Sequence, residues 1–190
     1  MSGMKTPDPE DFRLLEEFNA GSEEAFARLV ERYAGPLINF LWRYTHDRQT
    51  SEDLAQEAFL RLYKAAADLE PRARLSTILF KFAYNLAVDR ARRAAARSGI
   101  AAESLDAAAE KGRGPAAPGA SPDALYEKAQ RGREVAAALA ALPDPQRLAL
   151  ILKVYEDRSY AEIAEILGTS VPAVESLLFR ARRSLSASLK

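Results

Sequence analysis

Side chains that could bind nucleic acid are concentrated near the end of the chain, on a helix predicted to begin at about Val171. Arginine can hold a phosphate or a guanine, glutamate can accept a hydrogen bond from a cytosine amine, and phenylalanine can meet a thymine methyl group. Such side chains fall on the outward face of this helix at Glu175, Ser176, Phe179, Arg180, Arg182 and Arg183. We therefore take these six residues as candidate contacts with duplex DNA.

The residues just before this helix predict a turn that would present it to DNA. Ser159 and Glu162 have the spacing of a capping box, which predicts a short helix from Tyr160. Gly168 supplies the tight turn after it, and the small Ala164 lets two helices approach closely. This order is typical of a helix-turn-helix, whose second helix enters the major groove. An ordinary helical hairpin with a solvated basic end is the simpler alternative.

A second set of candidates combines basic, aromatic and amide side chains on a helix predicted from about Leu75 to Arg97. Single-stranded DNA is bound by positive charge along its backbone and by aromatic rings on which bases stack. The residues of this kind are Phe80, Lys81, Tyr84, Asn85, Arg92 and Arg93. The alternative is that Phe80 and Tyr84 simply pack into a neighbouring helix.

A third set is polar and lies on the preceding helix, predicted to begin at Ser51. Its apolar residues form one stripe, which leaves Asp53, Gln56, Glu57 and Arg61 facing outward, and we take the first three as candidates. Composition alone favours a solvated helix surface here. Residues 1–71 hold 8 Lys and Arg against 14 Asp and Glu, whereas residues 72–97 hold 7 against one. An acidic front followed by a basic helix suggests two different partners.

The elements that would position these residues are all helical. Apolar residues recur at helical spacing, and no alternating β-branched run is long enough for a strand. We predict an all-α fold of two small domains, 9–97 and 123–190. Residues 98–122 consist of Ala, Gly, Ser, Pro and scattered charge, which is typical of a flexible linker. Within the first domain, Gly35-Pro36 should interrupt a helix and Thr50 should cap the next one.

Composition excludes several kinds of chemistry. The 190 residues include no Cys and one His, His46, so disulfides, thiolate zinc sites and iron–sulfur clusters are excluded. Metal sites and general-base catalysis usually need more than a single imidazole. We therefore expect that the protein is not an enzyme and that it binds no metal and no cofactor. No window approaches the roughly 18 apolar residues of a membrane span, and residues 1–11 lack the layout of a signal peptide. We therefore expect a cytoplasmic protein without membrane insertion.

The order of these motifs resembles that of bacterial RNA polymerase sigma factors of the extracytoplasmic-function group. The acidic helix of that family is matched by Glu52 to Phe59, and the next helix by Ile78 to Asn85 with Asp89 to Arg93. After the linker, two further family motifs are matched by Leu142 to Arg147 and by Ser159 to Arg182. The resemblance covers nearly the whole chain, and the last motif is the most specific.

The resemblance implies a role for each set of residues. Asp53, Gln56 and Glu57 would bind the clamp helices of the beta-prime subunit of core RNA polymerase. The candidates around Asn85, with the loop near residues 69–76, would read and open the minus-10 promoter element and capture a base flipped out of the stack. The six candidates of the last helix would contact the minus-35 element of promoter DNA, and their domain would also sit on the beta flap. An anti-sigma protein is a further expected partner.

The sequence departs from the family pattern at three positions. Ile78 stands where the family usually has Trp, so the packing that positions the promoter-reading loop should differ. Glu175 and Leu177 stand where relatives are often basic, which removes positive charge from the last helix.

The runner-up function is a self-sufficient helix-turn-helix regulator, with residues 9–97 as a dimerisation or sensor domain. Such a regulator would bind duplex DNA without polymerase, whereas a sigma factor should bind it poorly alone.

Overall fold

A computed structural model describes residues 8–69, 73–98, 130 and 134–189 of this protein. All regular structure in these ranges is helical, which confirms the all-α prediction. The helices are α1 (Pro9–Asn19), α2 (Glu23–Thr45), α3 (Arg48–Ala65), α4 (Leu75–Ser98), α5 (Asp144–Val154), α6 (Tyr160–Leu167) and α7 (Val171–Ser188). A short 3-10 turn, Ala66–Asp68, follows α3, and residues 134–140 are also helical.

Local caps begin the last two helices and end α6, and the capping box and the glycine turn are those that the sequence predicts. The Ser159 hydroxyl accepts from the Glu162 amide at 3.3 Å, and Glu162 Oε2 accepts from the Ser159 amide at 2.9 Å, which completes the capping box. Gly168 ends α6 at a φ of 63°, a left-handed conformation that favours glycine. Ser170 then caps α7, and Pro172 lies in its first turn, where a missing amide hydrogen costs little.

Two predicted boundaries in the first half are wrong. α2 runs without a break through Pro36, because fully buried Leu29 and Leu37 hold the helix on both sides of the proline against the same core. This packing outweighs the hydrogen bond that the proline cannot make. α3 begins at Arg48, before the predicted start, since the Asp47 carboxylate accepts from the Thr50 amide at 3.0 Å and is the cap.

The first four helices form a bundle that holds α3 and α4 in place. Its fully buried residues include Leu29, Leu37, Phe40, Leu41, Leu62, Leu75 and Leu79. Near one end, the rings of Phe18, Phe26 and Tyr63 pack with centroids 4.8 to 5.2 Å apart. The buried Asp11 carboxylate joins α1 to α2, since it accepts from Arg32 Nη1 at 2.9 Å.

The two halves of the chain pack directly against each other. α2 contacts α5, and α4 contacts α6. The buried residues of both halves therefore form one continuous apolar cluster. The predicted linker, 98–122, lies outside the described residues except for Ser98, which ends α4. Residues 123–129, the predicted start of the second domain, also lie outside them.

Candidate nucleic-acid interface

α7 has a buried face and an outward face. Val174, Leu178 and Ala181 recur at helical spacing and are buried against the helices α5 and α6. The outward residues are all exposed: Glu175, Ser176, Phe179, Arg180, Arg182 and Arg183. The Phe179 side chain is a large apolar group left 66% exposed. The structure thus brings the six predicted DNA-contact residues together on one solvent face.

Four of these residues line a shallow depression along the helix: Glu175, Ser176, Phe179 and Arg180. Arg180 Nε donates to the Ser176 carbonyl oxygen at 3.2 Å, which orients the guanidinium group along α7. This bond uses one of the five donors of the guanidinium. The depression therefore combines an aromatic ring, a carboxylate and an arginine, which together can contact base edges and phosphates.

The turn that aims α7 is held by a buried carboxylate. Glu162 is 2% exposed, accepts from the Ser159 hydroxyl at 2.7 Å and lies 3.7 Å from Arg158 Nη1. Burial opposes ionisation of Glu162, but the hydrogen bonds from Ser159 and the Arg158 charge outweigh burial, so its pKa lies below its usual value. Glu162 is therefore ionised at neutral pH, and its contacts hold the start of α6.

The second set of candidates lies on α4 and falls into exposed, half-buried and fully buried residues. Asn85, Arg92 and Arg93 are exposed, and Lys81 and Tyr84 are half-buried. Phe80 is fully buried, so the prediction that it offers a stacking face is wrong in this structure. Its ring lies 5.2 Å from the Phe40 ring of α2, and the Arg158 guanidinium lies 4.5 Å from its centroid. The structure therefore shows the alternative, in which Phe80 packs into neighbouring elements.

The loop before α4 is covered where it joins the helix. Ala73, Ser76 and Thr77 are buried, while residues 70–72 lie outside the described ranges. The Ser76 hydroxyl accepts from Arg158 Nη1 at 2.8 Å. Arg158 thus contacts both the start of α4 and the Phe80 ring, and sequence analysis missed it. The sequence gives only a slight indication of Arg158, namely that a basic residue directly precedes the capping serine of α6.

The exposed face of α3 gathers the third set of candidates. All three members are open to solvent: Asp53, Gln56 and Glu57. Asp53 Oδ1 accepts from Gln49 Nε2 at 3.1 Å, a surface contact of small energetic weight. Leu60 lies one turn further on and is 53% exposed, so it adds an apolar group to this polar face. Sequence analysis missed Leu60, although its spacing from Gln56 indicates this position.

The described residues give little support for a metal site or a membrane span. No group of three or more His, Cys, Asp or Glu there could hold a metal ion. No described helix is both long and apolar enough to cross a membrane. His46 is half-buried after α2, and its burial, followed by the charge of Arg147, holds its pKa below the usual value.

Family models match both halves of the chain. The model described as Sigma-70 region 2 matches residues 29–97, and the model described as Sigma-70, region 4 matches residues 132–185. The RNA polymerase sigma-H factor of Pseudomonas aeruginosa is 31% identical over 185 residues, which cover 95% of this chain and 94% of the relative. The ECF RNA polymerase sigma factor SigW of Bacillus subtilis is 28% identical over 180 residues, covering 93% of this chain and 95% of the relative.

Solved structures are similar over most of the chain as well. CnrH, solved in complex with the cytosolic domain of CnrY, is 27% identical with a TM-score of 0.67, covering 95% of this chain and 97% of the solved chain. The sigma factor RpoE of Bartonella quintana, solved in complex with the anti-sigma factor NepR, has a TM-score of 0.66 at 23% identity. That match covers 86% of this chain and 96% of the solved chain, and it is a likeness of fold.

Proposed function

Because this chain belongs to the extracytoplasmic-function group of bacterial sigma factors, the subunits that direct RNA polymerase to promoters, we propose a division of labour among its three surfaces. Residues 9–97 form a region 2-like domain for core polymerase and the minus-10 element, and residues 123–190 form a region 4-like domain for the minus-35 element. The observation that carries this proposal is the exposed basic and aromatic face of α7 beside a buried capping box. Bond formation belongs to the polymerase, so the chain itself needs no catalytic residue.

α7 serves as the recognition helix for duplex DNA at the minus-35 element. Its exposed face presents Phe179 and Arg180 beside Glu175, a set that can meet a thymine methyl, a guanine and a cytosine amine. Arg182 and Arg183 follow on the same face and suit phosphate contacts, which fix the register of the helix on the duplex.

The exposed part of α4 serves the minus-10 element. Asn85 can hydrogen-bond a base edge, and the exposed Arg92 and Arg93 can follow the phosphates of a single strand. Lys81 and Tyr84 lie half-buried on the same helix and would add a charge and a ring. The strong excess of basic residues between 72 and 97 supports a strand path along this helix.

The outward face of α3 serves core polymerase at the clamp helices of the beta-prime subunit. Asp53 and Glu57 supply negative charge, Gln56 supplies an amide and Leu60 an apolar contact. An exposed apolar residue beside polar ones is typical of protein–protein interfaces. The domain with α7 would occupy the beta flap.

An anti-sigma protein is a further proposed partner. RpoE of Bartonella quintana was solved with an anti-sigma factor, and its fold is similar to that of this chain. Work as a polymerase subunit would place the chain in the cytoplasm. A self-sufficient regulator is not favoured, because both family models that match the chain describe sigma factor regions.

Asp53→Arg tests the polymerase surface. The variant reverses a charge on α3 and should weaken binding of the full chain to core RNA polymerase at least about tenfold, because like charges would then meet at the interface. Size-exclusion chromatography at moderate salt measures the loss as failure to co-elute with core polymerase. Glu16→Arg makes the same change on an exposed part of α1 and should co-elute like the wild type.

Two results would overturn this assignment. Equal co-elution of Asp53→Arg and the wild type would remove α3 from the polymerase interface. A wild-type chain that elutes apart from core polymerase, yet shifts duplex DNA by itself in a gel, would favour the self-sufficient regulator and require a new role for residues 9–97.

A further inference from the structure

Glu175 is the one acidic residue of α7, and it lies on the exposed face of that helix. It belongs to the second helical turn, whereas Arg182 and Arg183 follow about two turns later. In a helix-turn-helix, residues near the start of the second helix contact base edges, and basic residues further along can hold phosphates. Glu175 therefore lies where α7 would come nearest to the bases, although phosphates repel its charge.

The Glu175 carboxylate is open to a hydrogen-bond donor from outside the chain. Among the described residues, none donates a hydrogen bond to Glu175 or forms an ion pair with it. Its neighbours one turn away on either side are Val171 and Phe179, which are exposed and apolar. Arg180 lines the same depression, but its Nε donates to the Ser176 carbonyl oxygen. The carboxylate thus faces solvent without a cation of this chain to neutralise it.

The major groove of DNA offers a carboxylate only two kinds of base donor. These are the N4 amine of cytosine and the N6 amine of adenine, whereas guanine and thymine present acceptors and a methyl group there. The adenine amine lies beside N7, an acceptor that repels a carboxylate, while cytosine presents its amine alone. A carboxylate at this position therefore favours cytosine over the other three bases.

Two neighbours in the depression make this contact more selective. The Phe179 ring is 66% exposed and would exclude water from the carboxylate once α7 lies in the groove, so that a base without a donor leaves the charge unpaired at high cost. The Arg180 guanidinium can bind a guanine or a phosphate beside it. At 1.5 Å per residue, Glu175 and Arg180 lie about 7.5 Å apart along α7, or about two base-pair steps of 3.4 Å.

We propose that Glu175 is a specificity-determining residue, which makes this chain select a cytosine in the minus-35 element through its N4 amine. The inference rests on the proposed function of α7 as the recognition helix, and it adds the base that one residue selects. The carboxylate contributes discrimination more than affinity, because the correct base only offsets the repulsion from phosphates, whereas a wrong base leaves the charge against an acceptor.

Selection of duplex DNA by the complete polymerase complex tests this inference. The full chain is assembled with core RNA polymerase and offered duplexes with a randomised minus-35 element, and the bound duplexes are sequenced. The wild type should select cytosine at one position by about fivefold or more over each other base. Glu175→Gln should move the preference at that position from cytosine to adenine, because a glutamine amide donates to adenine N7 and accepts from N6. Preferences at the other positions should stay the same.

Three further variants complete the test. Glu175→Ala should remove the preference at the same position and retain the others. Glu134→Gln makes the same amide substitution at an exposed position outside α7 and should select the wild-type sequence. The position that loses its preference in Arg180→Ala should lie within about two base pairs of the position that switches. Co-elution with core polymerase and far-UV circular dichroism check that each variant assembles and folds.

The outcomes separate this inference from the proposed function. Equal base preferences in the wild type, Glu175→Gln and Glu175→Ala would make Glu175 a solvated surface residue, which overturns the inference and leaves α7 as the recognition helix. A switched position far from the one read by Arg180 would also overturn it, since the two side chains line one depression. A wild-type complex without any base preference in the randomised element would instead overturn the proposed recognition role of α7.

Discussion

Glu162 is the buried carboxylate whose removal should most weaken the helix-turn-helix. It caps α6 through two hydrogen bonds with Ser159 and lies beside the Arg158 guanidinium. Glu162→Ala leaves the Ser159 cap in place but removes the carboxylate half of the capping box. It also leaves the buried Ser159 amide without an acceptor, which costs about 1–3 kcal/mol. We therefore expect the free energy of unfolding to fall by about 1–3 kcal/mol, the cost of the unsatisfied amide.

Glu162→Gln separates the charge from the shape of this side chain. The amide oxygen of glutamine can still accept from Ser159, so the loss is the charge-assisted part of the bonds, about 1–2 kcal/mol. The folded-state pKa of Glu162 lies below the ordinary value of 4.5. Its ionised form therefore stabilises the fold above about pH 4.5, and this contribution disappears as the pH falls through the folded-state pKa. The difference between the wild type and Glu162→Gln should be full at pH 7 and shrink in acid.

Urea unfolding followed by far-UV circular dichroism, from about pH 7 down to about pH 3.5, measures these losses. Glu165→Gln is the matched control, since it makes the same change one turn from the cap on α6 and should shift stability by less than about 0.5 kcal/mol. If Glu162→Gln costs no more than this control, or if its cost is the same at every pH, a charged cap does not hold the turn.

Two further changes test other parts of the structure. Arg180→Ala should weaken binding of the polymerase complex to minus-35 duplex DNA by about 1–3 kcal/mol, because it removes a guanidinium that can bind a base or phosphate. A gel mobility shift measures this loss. An equal loss of core polymerase binding would contradict the assignment. His46→Gln should remove a pH dependence, because burial and the Arg147 charge lower the pKa of His46 and the folded state therefore disfavours its proton. Thermal unfolding of the wild type should show stability falling as the pH drops below about 6.5, and a parallel decline in the variant would count against this cause.

The helix-turn-helix could be predicted from the sequence because its determinants are local. The side chains of Ser159 and Glu162 reach each other within one helical turn, and Gly168 adopts its left-handed conformation without help from distant residues. Helical spacing likewise separates Val174 and Leu178 from the outward face of α7. Short-range chemistry therefore specified both the turn and the surface it presents.

Features that depend on distant contacts could not be predicted in the same way. By local rules Pro36 should break α2. The core contacts of α2 on both sides of the proline nevertheless keep the helix continuous. The burial of Phe80 depends on Phe40 and on Arg158 from the other half of the chain. Contacts with residues distant in sequence, both within its own half and across the two halves, distinguish a stacking ring from a buried one.

The structure also changes the meaning of the two departures from the family pattern on α7. Leu177 is half-buried and packs against the core, so a leucine there supports the helix from beneath. The missing positive charge on the exposed face of α7 is therefore confined to Glu175, which lines the depression with Arg180. A carboxylate repels phosphates but can accept a hydrogen bond from a cytosine amine. With less gain from counterion release, the proposed recognition by α7 would depend more on base edges than on phosphate attraction.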